Sequence, residues 1–187
     1  ADKQLSSSQW MQEAEPGITV ATVSDPDDCL QKAGELLGSH DIVVGDGPGG
    51  LDDVSRTMLL LADLAIFPIS PSILDLRSVA QATQILKYAQ GINRGKPEGR
   101  LVLNKLRSRD TISRELQAAA PNLGLQVTDA SIRDLQAFRD CVQQGTVVGR
   151  LGKKAAEAAK DIEALCEEIS VAINLNERLR GGEVANG

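Results

Sequence analysis

Asp41-Ile42-Val43-Val44-Gly45-Asp46-Gly47-Pro48-Gly49-Gly50 is the stretch on which the fold turns. Its apolar, β-branched centre has the composition of a strand buried on both faces. A strand over residues 41–45 delivers one carboxylate, Asp46, into a loop of glycine and proline. A carboxylate fixed there suits a hydrated hard cation, and small residues beside it let backbone approach phosphates. The same residues also read as an ordinary turn after a strand, where Asp and Gly are common.

Outward from this stretch, apolar runs alternate with helical patterns. Before it, 18–23 (ITVATV) reads as a strand and 25–37 as a helix, with Asp25-Pro26 as N-cap and first-turn proline and Gly38 as the stop. After it come a helix at 51–61, a strand at 64–69 (LAIFPI), a long helix at 72–89 and a strand at 101–106 (LVLNKL). A helix at 110–120, a weaker strand at 126–132, a helix at 134–144 and a closing helix at 153–175 complete the pattern. Such alternation predicts an α/β fold with a doubly wound, mainly parallel sheet flanked by helices and ligands at the carboxyl ends of the strands. Residues 1–175 read as one domain and 176–187 as a loose tail.

Composition narrows the function classes. An apolar content of 42% in 187 residues suits one core, and with 2% aromatics the aliphatic residues must fill it. Cys29, Cys141 and Cys166 are far apart, with only His40 beside them as a soft ligand, so neither a disulfide framework nor a zinc site is expected. No run approaches the roughly 20 apolar residues of a membrane span, and the protein reads as cytoplasmic. The net charge of −6 argues against an all-over basic coat and leaves room for a local basic patch. The opening Ala1-Asp2-Lys3-Gln4 has no strand before it and reads as a cut beginning.

Over nearly its whole length the sequence resembles the ParA/MinD family of P-loop ATPases, most closely the small plasmid-partition members. That family carries D-x-D-P-Q followed by small polar residues and often Trp. Asp2-Lys3-Gln4-Leu5-Ser6-Ser7-Ser8-Gln9-Trp10 is similar to this segment from just after its first Asp. The family's strand, D-T-P-P-G, helix and A-D-x-x-x-x-P-x-x-P-S-x-x-D are matched by Asp46-Gly47-Pro48-Gly49-Gly50, Ala62-Asp63, Pro68, Pro71-Ser72 and Asp75. Val102-Leu103-Asn104-Lys105 stands where the family has V-L-N-[KR]. Lys3, Gly47 and Gly49 depart from the pattern, replacing proline, threonine and proline. A larger departure is that no G-x-x-x-x-G-K-[ST] occurs, so the phosphate-cradling loop is absent from these residues. The resemblance places that loop about one βα unit before Asp2.

The resemblance implies an ATP-dependent dimerisation switch that binds DNA non-specifically, associates with the nucleoid and moves plasmid or other cargo with a ParB-like activator. ATP and Mg²⁺ are the implied cofactors. Asp2 is then the catalytic carboxylate that orients the attacking water, and Asp46 holds Mg²⁺ through a coordinated water. Gly47 and Pro48 line the nucleotide, and the Asn104 amide reads the adenine edge. Ser70, Pro71, Ser72 and Asp75 form a dimer contact, and Arg133, Arg139, Arg150, Lys153 and Lys154 form the DNA-binding set. Plainer readings stand beside these: a frayed terminus for Asp2, a strand-end turn for Asn104, an early-turn acid for Asp75 and a scattered solvated face for the basic residues. Two alternative functions follow, a regulatory homologue without phosphate loop or catalysis, and a MinD-like membrane ATPase. The Gly-rich tail lacks the bulky apolar face that the latter needs.

Overall fold

The computed structural model describes residues 6–47, 52–70, 72–107, 118 and 120–175, without the side chains of residues 6 and 73–77. Strands β1 (Leu64–Ile69), β2 (Glu98–Leu103) and β3 (Gln126–Val127) form one parallel sheet in that order. β1 and β2 pair along their whole length, from Leu64 opposite Glu98 to Ile69 opposite Leu103. β3 joins through Arg100 opposite Gln126 and Leu101 opposite Val127. The expected α/β character and parallel pairing therefore hold in this part of the chain.

The described helices include α1 (Ser6–Ala14), α2 (Pro26–Leu37), α3 (Asp53–Leu61), α4 (Ile73–Ile92), α5 (Gln136–Gln143) and α6 (Ala156–Ala172), with α4 packed on β1, α3 on α4 and α2 on α3. Two 3₁₀ turns, Val148–Arg150 and Gly152–Ala155, join α5 to α6. α2 begins as its sequence dictates, with the Asp25 side chain accepting the Asp28 N–H at 2.9 Å and Pro26 in the first turn. Asp52 caps α3 in the same way through the Ser55 N–H at 2.8 Å.

α4 links β1 to β2 and buries Val79, Thr83, Leu86 and Ala89 at helical spacing. Its apolar stripe packs with Ala65 and Ile69 of β1, Leu101 and Leu103 of β2, and Ala120 and Leu125. Gly99 is needed where this helix crosses β2, because a Cβ there would lie 2.5 Å from Leu125 and 2.6 Å from Leu86. A second, smaller core joins Cys141 of α5, Val148 and Ala158 of α6, with Phe138, Leu151 and Ile162 packed against it.

Three expectations need correction. Residues 18–24 and 42–47 carry no strand, although both are apolar and β-branched. A strand exists only where a neighbour offers a hydrogen-bonding ladder, and the sheet among the described residues starts at β1. Ile18, Ile42 and Val44 accordingly remain exposed, Val44 at 87%. Asp46 thus follows an unpaired extended segment and not a laddered strand. The expected strand at 126–132 is laddered only at 126–127. The chain turns after Thr128, whose hydroxyl donates to the Ala130 carbonyl at 2.7 Å, and Ile132 N–H rejoins at Leu103 O, 2.8 Å away. The expected helix at 110–120 and the tail at 176–187 lie almost wholly outside the described residues.

Candidate functional site

The carboxyl ends of β1 and β2 lie side by side and carry Ser70 and Asn104 just beyond them. Asn104 donates its backbone N–H to Ile69 O at 2.8 Å, so the residue is pinned across both strands. Its Oδ1 accepts the Lys105 N–H at 2.9 Å, and Lys105 takes a left-handed turn with φ 54°. That bond fixes the orientation of the side-chain amide and leaves its NH₂ as the group available to a ligand. Ser72 donates its N–H to Ser70 O at 2.7 Å, folding the turn that enters α4. Pro71 lies outside the described residues, and Asp75 occupies the first turn of α4.

Next to this end the chain forms a cavity of about 490 Å³ lined by Leu106, Arg107, Arg133, Asp134 and Leu135. Leu106 and Arg133 pair there in a parallel bridge. Asp134 accepts from Arg139 Nη1 at 2.8 Å and from Arg107 Nε at 2.9 Å. Those two guanidiniums, Arg139 first, hold its carboxyl below the usual carboxylate range. The lining therefore combines two guanidiniums and one carboxylate with an apolar contribution from Leu106 and Leu135.

Asp46 stands exposed between Gly45 and Gly47. Both glycines run close to α3, since a Cβ on either would lie 3.6 Å from Met58 Sδ. Among the described residues no cluster of three His, Cys, Asp or Glu side chains forms an all-protein metal cage. The donor chemistry nonetheless fits Mg²⁺, which retains waters and commonly takes only one or two carboxylates alongside substrate phosphates. Asp2 and Pro48 lie outside the described residues.

The basic set divides into two kinds. Arg133 grips Asp161 through Nε and Nη2, the latter at 2.8 Å, and also reaches Glu157 Oε2 at 3.3 Å. The Asp161 carboxylate in turn keeps the guanidinium firmly protonated. Arg139 is held by Asp134, and Arg150 by Glu15 at 2.7 Å. Lys153 and Lys154, on the 3₁₀ turn before α6, are exposed and have no ion-pair partner among the described residues. Sequence reasoning missed the acids Asp134, Glu157 and Asp161. They stand up to 28 positions from the arginines they hold, and nothing in local spacing links them.

Parallel strands linked through helices define an α/β protein. No protein-family model matches the chain. It is 30% identical over 174 residues to "Maintenance of carboxysome distribution protein A" of Halothiobacillus neapolitanus (strain ATCC 23641 / c2), a match covering 90% of this chain and 80% of that protein. The chain belongs to that protein's family, the ParA-like proteins. Among the described residues no helix is long and apolar enough to cross a membrane.

Proposed function

We propose that the chain is the larger part of a ParA-like ATPase that positions an intracellular cargo by an ATP-dependent, DNA-binding dimer cycle. The observation that carries this reading is the 30% identity over 90% of the chain to a protein named for carboxysome distribution. The strand-end geometry supports it. Asn104, pinned by Ile69 and Lys105 just beyond the end of β2, offers a side-chain amide whose NH₂ is left to a ligand. Asp46 offers an exposed carboxylate flanked by two glycines.

In this reading ATP supplies the γ-phosphoryl group and Mg²⁺ neutralises charge on the phosphates. The residues of this chain position rather than react. Asp46 holds the hydrated cation, Gly47 and Pro48 give phosphate close access, Asn104 orients the base, and Asp2 accepts a hydrogen bond from the attacking water. Ser70, Pro71, Ser72 and Asp75 contribute to the contact between two copies. A partner of ParB type stimulates hydrolysis and release, and Lys153 and Lys154 meet DNA phosphates. In this reading the phosphate cradle is not supplied by these 187 residues, which contain no Gly-x-x-x-x-Gly-Lys-[Ser/Thr].

Calorimetry with Mg-ATP tests the reading. The chain alone is expected to show no binding, and a protein in which a strand, phosphate loop and helix precede Asp2 is expected to bind and hydrolyse ATP. In that longer protein Asp2→Ala abolishes turnover and leaves ATP binding intact. Micromolar binding by the 187 residues alone would overturn the division of the site. A longer protein that binds no nucleotide would favour the regulatory homologue.

A further inference from the structure

Arg150 differs from the other arginines of the basic set in what it holds. Arg133 and Arg139 are tied to acids on α6 and beside α5, within the same C-terminal region. Arg150 instead reaches across 135 positions to the end of α1, donating Nη1 to Ala14 O and Nη2 to Glu15 Oε2, both at 2.7 Å. A guanidinium there also meets the negative end of the helix dipole. Lys153 and Lys154 follow on the next turn, exposed and without an ion-pair partner among the described residues. Glu13 lies against the same region, 3.3 Å from where a Cβ of Gly145 would be.

The hold on α1 is a compromised one. Trp10 is half-buried, and its indole N–H is shut away from solvent without a hydrogen-bond partner among the described residues. A buried donor left unmade opposes docking, so the Arg150 contacts offset a penalty that the helix carries. One of those contacts goes to the Glu15 carboxylate and the other to the Ala14 carbonyl, and the charge-assisted bond to the carboxylate is one that a DNA phosphate reproduces. Glu15 meanwhile places negative charge where a phosphate would approach.

We propose that DNA phosphate and Glu15 compete for Arg150, so that nucleic-acid binding at Arg150, Lys153 and Lys154 undocks helix α1. The inference rests on the DNA-binding reading above and adds its regulation.

Trp10 is the single tryptophan of these 187 residues, which makes its emission a specific report on α1. The test titrates a short random-sequence DNA duplex into the longer, phosphate-loop-containing protein in Mg-ATP at low ionic strength, with any tryptophan other than Trp10 replaced by Phe, following affinity and Trp10 emission together. DNA is expected to shift the emission to the red. Glu15→Gln, which keeps the size and removes the competing charge, is expected to tighten binding about fivefold, the scale of one exposed ion pair. Replacing Lys153 and Lys154 by Gln should weaken binding and lower the salt slope by about 1.8. Arg150→Gln should show red-shifted emission before any DNA is added, with circular dichroism confirming that it folds. Binding with unmoved emission, or equal affinity in Glu15→Gln and wild type, overturns the competition and leaves the DNA reading standing. No binding by the wild type overturns both.

Discussion

Asp134 shows how much a single carboxylate can organise, since it holds both Arg107 and Arg139 at the rim of the strand-end cavity. Its folded pKa is lowered, so its contribution to stability is fully present above the ordinary carboxylate value and is lost as pH falls through the lower, folded value. Asp134→Asn should therefore melt below the wild type at neutral pH. The gap should close as pH drops below about 3.8, a comparison that thermal melts across the acid range will check. Arg133 carries the opposite lesson. Its partner Asp161 is 11% exposed at the side chain, so Arg133→Ala strands a carboxylate and should cost about 1–3 kcal/mol in chemical denaturation. A loss of DNA binding in such a variant has to be separated from this loss of stability. In the first core, Leu86 is fully buried, and Leu86→Ala should cost about 2–5 kcal/mol. Gly99→Ala acts in the opposite sense by overfilling, since its Cβ would meet Leu86 and Leu125, and should cost about 1–3 kcal/mol by the same measurement.

Elements were legible wherever local chemistry alone decides them. Asp25-Pro26 announced α2, and the cap is present; the stripe of α4 is readable from 3.6-residue spacing, and the helix runs on to Ile92. The parallel pairing of β1 with β2 followed from two apolar runs separated by a long helix. What failed was the step from apolar run to strand at 18–23 and at 41–45, because a strand is a property of a pair and the sequence of one run does not show its neighbour. The expected strand at 126–132 is short because the chain turns after Thr128, whose N–H still reaches Leu101 O at 2.9 Å while its hydroxyl bonds forward to Ala130 O. The cap of α3 was not read beforehand, although Asp52 sits at its start. Asp52→Ala should lower stability by about 1 kcal/mol, measurable as a shift of the denaturant midpoint at unchanged slope.

At the scale of the whole molecule, the sequence pattern conveyed family and general architecture, and 30% identity to a carboxysome distribution protein agrees with both. Asn104 was legible as a strand-end residue, and the structure adds the two bonds that orient it. The basic patch was less so, because charge counting does not reveal which cations are already held by acids of the same fold. The unpaired run before Asp46 carries one further implication. Exposed Ile42 and Val44 between Asp41 and Asp46 form a short β-prone segment guarded at each side by an acid. Flanking charges of this kind restrain stacking of such segments into cross-β aggregates. Asp46 is one of these two flanking charges. Any Asp46→Asn sample made to probe Mg²⁺ should sediment more readily than the wild type at equal concentration, and its activity has meaning only per unit of material that stays in the supernatant.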